Sequence, residues 1–341
     1  MLLDRGADIE AETSTGQSPL DRASFAGNTD VVKLLLDRGA DIEATTTTGE
    51  SPLYEASRSG NTDVVKLLLD RGARIHATKY NDEKTALHGA CHGEAIKVVR
   101  LLLNRGADIE ATDKRGHTPL LIASYGRAVD VVQLLLDRDA DVGAKDVLGE
   151  TALHKVTGRG ACKKIVQLLL DRGADIEAET STGQSPLDRA SFAGNTDVVK
   201  LLLDRGADIE ATTTTGESPL YEASRSGNTD VVKLLLDRGA RIHATKYNDE
   251  KTALHGACHG EAIKVVRLLL NRGADIEATD KRGHTPLLIA SYGRAVDVVQ
   301  LLLDRDADVG AKDVLGETAL HKVTGRGACK KIVQLLLDRG A

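Results

Sequence analysis

The residues of this sequence best suited to chemistry are two histidines with a cysteine between them, His88, Cys91 and His92. Four places apart on a helix, the histidines share one face. Imidazole and thiolate together could begin a zinc site. A structural zinc takes four ligands, however, and no fourth lies near in the sequence, so no metal site is expected. Paired carboxylates come next, as Asp8/Glu10, Asp41/Glu43 and Asp108/Glu110. A catalytic pair needs one special environment that drives its pKa values apart. These pairs recur at equivalent places, which is the mark of a scaffold. The sequence holds no Walker-type phosphate loop, no GxGxxG, no GxSxG and no HExxH. Its Ser, His and Asp residues form no recognisable nucleophile set. Neither an enzyme nor a cofactor is expected.

Composition narrows the partners. The chain has 341 residues with 45 basic and 51 acidic side chains, a net charge of −6. Nucleic-acid binding calls for an excess of Lys and Arg to neutralise phosphates, and neither an excess nor a basic block is present. No apolar run approaches the ~18 residues that would span a membrane, and the N-terminus shows no signal-peptide pattern. Cys91, Cys162, Cys258 and Cys329 lie far apart and form no Cys-x-x-Cys. They read as buried or half-buried thiols in a reducing compartment. The expected setting is intracellular, the cytoplasm ahead of the nucleus. There is no Trp, and there are only two Phe and six Tyr. Any core must therefore be built from Leu, Ile, Val and Ala.

The elements that would carry these residues repeat at two scales. Residues 2–174 recur without a substitution at 169–341, an offset of 167. Within each copy, helix starts recur at Ser18-Pro19-Leu20, Ser51-Pro52-Leu53, Thr85-Ala86-Leu87, Thr118-Pro119-Leu120 and Thr151-Ala152-Leu153, in steps of 33 or 34 residues. Ser or Thr can cap a helix by accepting an orphan backbone N–H. Pro suits the first helical position, where no intrahelical bond is lost. Gly27 and Asn28 turn the chain, and Val31, Val32, Leu34, Leu35 and Leu36 give the next helix an apolar face. Gly39 follows that helix where a left-handed cap costs Gly little. An extended arm, Ala40 to Ala44, then leads to a polar tip ending in Gly49. The units run 12–44, 45–77, 78–111, 112–144, 145–178, 179–211, 212–244, 245–278, 279–311 and 312–341, after a partial unit at 1–11.

These units resemble ankyrin repeats over essentially the whole chain. Asp113-Lys114-Arg115-Gly116-His117-Thr118-Pro119-Leu120, followed by Val131, Val132 and Leu134 to Leu136, is the strongest stretch. The resemblance implies an all-α repeat solenoid, one array of stacked helix-turn-helix units with projecting β-hairpin-like fingers. It also implies a concave binding groove and a protein-interaction function. The His of the family's Thr-Pro-Leu-His motif stands at His88, His154, His255 and His321. Asp21, Tyr54 and Leu121 replace it elsewhere. The finger at Tyr80 to Glu83 lacks the turn Gly and has one extra residue. Gly93 and Gly126 stand one place early, with Glu94 and Arg127 where Gly is usual. These turns are expected to bend differently.

Carried over position by position, the groove row is Phe25, Arg58, His92, Tyr125 and Arg159, repeated as Phe192, Arg225, His259, Tyr292 and Arg326. The finger tips contribute Gln17, Glu50, Tyr80, Lys114, Arg115, His117 and Leu148. Equivalent places along the second helix are nearly uniform, whereas the groove row varies. Four of the chain's eight aromatics fall in it. Aromatics and Arg are favoured at binding hot spots. The other reading is that they are half-exposed packing residues.

Neither end has a clearly polar capping repeat, and such caps keep solenoids soluble. Leu2/Leu3 and Ile332/Leu335/Leu336 are expected to be exposed apolar faces. A fragment of a longer array explains this, as does self-association end to end. The duplication repeats any site five units on, about 50 Å away at ~10 Å per layer. It equally fits a recent tandem duplication. The expected partner is a protein, with no nucleic acid and no membrane insertion.

Overall fold

A computed structural model of the chain describes residues 7–158, 160–324 and 329–341. These fall into two compact units. The described residues of 1–156 and 164–175 form the first, and those of 157–163 and 176–341 form the second. Except for Thr157 and Lys163, the helices of the first unit are α1 (Pro19–Ala26), α2 (Thr29–Asp37), α3 (Pro52–Arg58), α4 (Thr62–Asp70), α5 (Ala86–His92), α6 (Ile96–Asn104), α7 (Pro119–Gly126), α8 (Val129–Leu136), α9 (Ala152–Thr157) and α10 (Lys163–Asp171). The second holds α11 (Pro186–Ala193), α12 (Thr196–Asp204), α13 (Pro219–Arg225), α14 (Thr229–Asp237), α15 (Ala253–His259), α16 (Ile263–Asn271), α17 (Pro286–Gly293), α18 (Val296–Leu303), α19 (Ala319–Thr324) and α20 (Lys330–Asp338). The helices stack in pairs, as an α-repeat solenoid requires.

The caps form as their residue types dictate. Ser18, Ser51 and Thr118 accept the backbone N–H of Asp21, Tyr54 and Leu121, each with Pro next in line. In the first unit, α1, α3, α5 and α7 pack successively, and α2, α4, α6 and α8 form the parallel row. Leu20, Leu53, Leu87 and Leu120 are buried between the first helices. Val65, Val99 and Val132 with Leu68, Leu102 and Leu135 fill the second row. Burying each such Leu contributes about 1.5–3 kcal/mol, and the same contact repeated from one helix pair to the next makes the core continuous within this first unit.

The fingers are turns, and no β-strand forms among the described residues. Each finger closes on itself, as where Thr46 N–H donates to Glu50 O at 3.0 Å and Asp113 N–H to His117 O at 3.0 Å. One such bond is too few for a ladder. The fingers are instead tied sideways. Thr47 N–H donates to Thr15 O at 3.1 Å, Lys114 N–H to Asp82 O at 2.9 Å, and Val147 N–H to Arg115 O at 3.0 Å. The close approach explains the turn glycine. Gly49 has φ +83°, and a Cβ there would stand 2.5 Å from the Tyr80 nitrogen.

Two expectations are corrected. The inter-helix turns without the usual Gly keep the same bend, because Glu94 and Arg127 themselves take left-handed φ values of 55° and 61°, whereas the finger at Tyr80 closes one residue wider, with Glu83 at φ 59° donating its N–H to Lys79 O at 2.9 Å. Gly93 is needed for a different reason, since a Cβ there would stand 2.0 Å from Arg58 O. At the chain's last helix, Ile332 and Leu336 are buried rather than exposed. They face the neighbours on which α20 packs, α18 and α19. The exposed apolar residue of α20 is Leu337. Leu2 and Leu3 lie outside the described residues.

Candidate functional site

A capped helix of seven or eight residues buries its first turn and leaves a late position facing out. Leu20, Ala23 and Ser24 of α1 are buried, while Phe25 is 48% exposed. The equivalent Tyr125 on α7 is 75% exposed. Phe192 and Tyr292 in the second unit are 45% and 49% exposed. His92 and His259 are exposed as well. Arg58 is half-buried, because its guanidinium lies 5.4 Å from the Phe25 ring centroid and pairs with the buried Glu55 at 2.9 Å. Arg225 repeats this arrangement over Phe192 at 5.5 Å and with Glu222 at 3.2 Å. A cation over an aromatic face contributes about 0.5–1 kcal/mol where water has access. Arg58 and Phe25 therefore hold each other in place. Gln17 from the adjoining finger joins them with Arg22 in lining a cleft of about 430 Å³. Arg159 and Arg326 lie outside the described residues.

The finger residues divide into inward and outward sets. Glu50 points inward. It pairs with Lys79 at 2.6 Å and accepts from the hydroxyls of Thr46 and Thr48. Burial would raise its pKa, but the Lys79 ammonium and the two hydroxyls outweigh that and hold the carboxyl down to about 2. His117 is half-buried. Its Nδ1 stands 3.1 Å from Asp113 and its Nε2 3.5 Å from Asp146, which links two fingers. Gln17 accepts from Arg22 at 3.3 Å. Tyr80, Lys114, Arg115 and Leu148 remain exposed, and Val147 joins them. The Lys114 ammonium donates to Tyr80 O at 3.2 Å.

Apart from His92, the groups that resemble catalytic or metal-binding sets are buried or hydrogen-bonded within the fold. His88 accepts the Thr85 N–H on Nδ1 at 3.1 Å, so its proton lies on Nε2, which donates to His117 O at 3.0 Å. Burial lowers its pKa and keeps it neutral. Cys91 is buried, with its thiol pKa pushed up, while His92 faces solvent. No group of three metal-binding side chains occurs among the described residues. The recurrent carboxylates brace the arms. Asp8, Asp41 and Asp108 each accept the N–H two residues on at 2.9 Å. Glu10, Glu43 and Glu110 accept the first N–H of the next arm, from Asp41, Arg74 and Asp141, at 2.9, 2.8 and 2.7 Å.

Two features escape sequence reasoning. Tyr54, in a histidine position, is buried beneath Lys79, whose ammonium lies 4.9 Å from the ring centroid. Gly89 on α5 makes room for it, since a Cβ there would meet the ring at 3.1 Å. Asp21 and Asp188 are also buried. Each caps its own helix through Oδ2, while Oδ1 has no hydrogen-bond partner. The signal was present in the departure from His, because a shorter side chain leaves the reach of His88 Nε2 unfilled.

A family model for ankyrin repeats, in three copies, matches residues 1–79, 75–146, 143–213, 190–246, 208–280 and 273–341. No curated protein matches the chain. Among the described residues no helix is long and apolar enough to cross a membrane.

Proposed function

Because the chain belongs to the ankyrin-repeat family, whose members are generally protein–protein interaction modules, we propose that it is a scaffold binding a protein partner through the late first-helix row and the outward finger residues. The observation that carries this reading is the exposure of Phe25, Tyr125, Phe192 and Tyr292 on a chain with so few aromatic side chains. A fold stacked from Leu, Val and Ala gains nothing by leaving rings in water. A partner that covers them gains buried area at little entropic cost. Phe25 is held by Arg58, and Gln17 shares its cleft, so this part of the surface is formed before any partner arrives. The finger contribution rests on Tyr80, Lys114, Arg115 and Leu148. Glu50 and His117 act by bracing the fingers. The reading is one of binding and assigns no catalytic residue.

Affinity capture from a cell lysate tests it. The bait is the wild-type chain beside a variant with Phe25, Tyr125, Phe192 and Tyr292 all changed to Ala, both shown to be folded by circular dichroism. The expected result is a protein retained by the wild type and lost by the variant. Equal retention by both contradicts the row as the binding surface.

A further inference from the structure

We infer that the finger tips of each unit form a cationic and apolar strip that takes an extended peptide segment bearing Asp or Glu beside aliphatic or aromatic side chains. This rests on the protein-binding reading above and gives the partner's chemistry. Continuity comes from the backbone. Lys114 N–H donates to Asp82 O, and Val147 N–H to Arg115 O, so the tips at Tyr80, Lys114, Arg115, Val147 and Leu148 are laced side by side. The second unit repeats the lacing from Lys281 to Asp249 O and from Val314 to Arg282 O, beside Tyr247 and Leu315.

Charge is segregated across these fingers. Asp113 is buried and accepts the N–H groups of Arg115 and His117 at 2.8 and 2.9 Å. Asp146 is buried against Lys155 at 2.6 Å. Asp82 is paired with Lys84 at 3.1 Å. The acids are thus consumed within the turns, with Glu83 the exposed exception. The bases Lys114 and Arg115 point outward, and the Arg115 guanidinium has no ion pair among the described residues. A chain of net charge −6 therefore presents a positive tip surface interleaved with exposed Tyr80, Val147 and Leu148. Acidic side chains complement the bases, with Arg suited to a bidentate grip on carboxylate. Apolar ones cover the rings and aliphatics. Three tips at about 10 Å per stacked layer cover roughly 20 Å. An extended chain rises about 3.3 Å per residue, so the segment is about 6–8 residues long.

Panning a phage library of random peptides, about twelve residues long, against the full chain tests this. The same library is panned against the Arg115→Glu/Arg282→Glu variant and the Tyr125→Ala/Tyr292→Ala variant. Arg115 and its copy Arg282 are exposed, so folding is not at stake; melting curves check this. Support would be a wild-type pool rich in Asp and Glu next to Leu, Ile, Val or Phe, whose peptides bind the Arg variant about tenfold or more weakly. An unbiased or basic pool overturns the proposal, as do acidic peptides that bind the Arg variant equally. A pool without acidic bias that is lost on the Tyr variant overturns the strip and keeps the groove reading. A pool indifferent to both variants overturns both. No enriched pool at all overturns the strip and leaves the groove to the capture experiment. Tighter binding of single-stranded oligothymidylate than of any peptide, lost on the Arg variant, would assign the strip to nucleic acid and overturn the proposal.

Discussion

Asp188 occupies the place where the equivalent His255 donates Nε2–H to His284 O at 3.0 Å. Its carboxyl is too short for that reach, so Oδ1 is left buried without a partner. Burial pushes its pKa up to about 7, against the hydrogen bonds from Ser185 and with help from the charges of Glu222 and Glu177. Asp21 is pushed up to about 6 by the same cause. A raised carboxyl pKa contributes stability that is fully present below the unfolded value of 3.8 and is lost as pH rises through the folded one. Asp188→Asn keeps the capping oxygen without the charge. Chemical denaturation should show no gain for this variant near pH 4. The gain should grow through pH 7 to on the order of 2–4 kcal/mol and then level off. A gain independent of pH would show that the buried charge is not the cause. The carboxyls of Glu50 and Glu217, held down to about 2, work the other way, and their contribution is lost only as pH falls below 4.5. The substitution of His by Asp was legible in the sequence. The burial of its second oxygen was not, since it depends on what the neighbouring finger presents.

At the scale of the element, the turn between α5 and α6 divides two demands between adjacent residues. In the turn after α1, Gly27 supplies the left-handed bend with φ +76°. After α5, Gly93 gives clearance beneath Arg58 O, and Glu94 takes the left-handed conformation at φ 55°. A non-Gly residue there carries about 1–2 kcal/mol of strain. Glu94→Gly should therefore stabilise the first unit by about 0.5–1 kcal/mol, and Gly93→Ala should destabilise it by about 1–3 kcal/mol. Denaturant midpoints for the two variants check this, and a shift of equal sign in both would contradict the division of labour. Helix starts and ends were legible because Ser-Pro and Thr-Pro caps and apolar spacing are local signals. The bend at Glu94 was not, because composition suggests flexibility where the packing of α3 on α5 dictates shape. The lacing of the fingers was not legible either. Their sideways bonds, such as Thr47 N–H to Thr15 O, join residues 32 apart and leave no local trace.

Across the whole molecule, each compact unit carries its own aromatic row and its own laced tips, residue for residue. The row was legible as variation against a uniform background, with the exposed Tyr125 and Tyr292 its clearest members. What the residue types could not show was which of them are spent on the fold. Arg58 is engaged by Phe25, Glu50 by Lys79 and His117 by Asp146, and only the folded chain brings those neighbours together. Two identical sets of outward side chains should act as two equal sites. Removing a central aromatic anchor should cost about 2–4 kcal/mol at the site it belongs to and leave the other unchanged. The most direct measurement is the number of captured partner molecules held per chain, read by native mass spectrometry and by titration calorimetry. Three forms are compared: the wild type, Phe25→Ala/Tyr125→Ala, and the variant with all four aromatics replaced. Two partners per wild-type chain, one for the first-unit variant and none for the fourfold variant is the predicted series. A first-unit variant that still holds two partners would contradict the account.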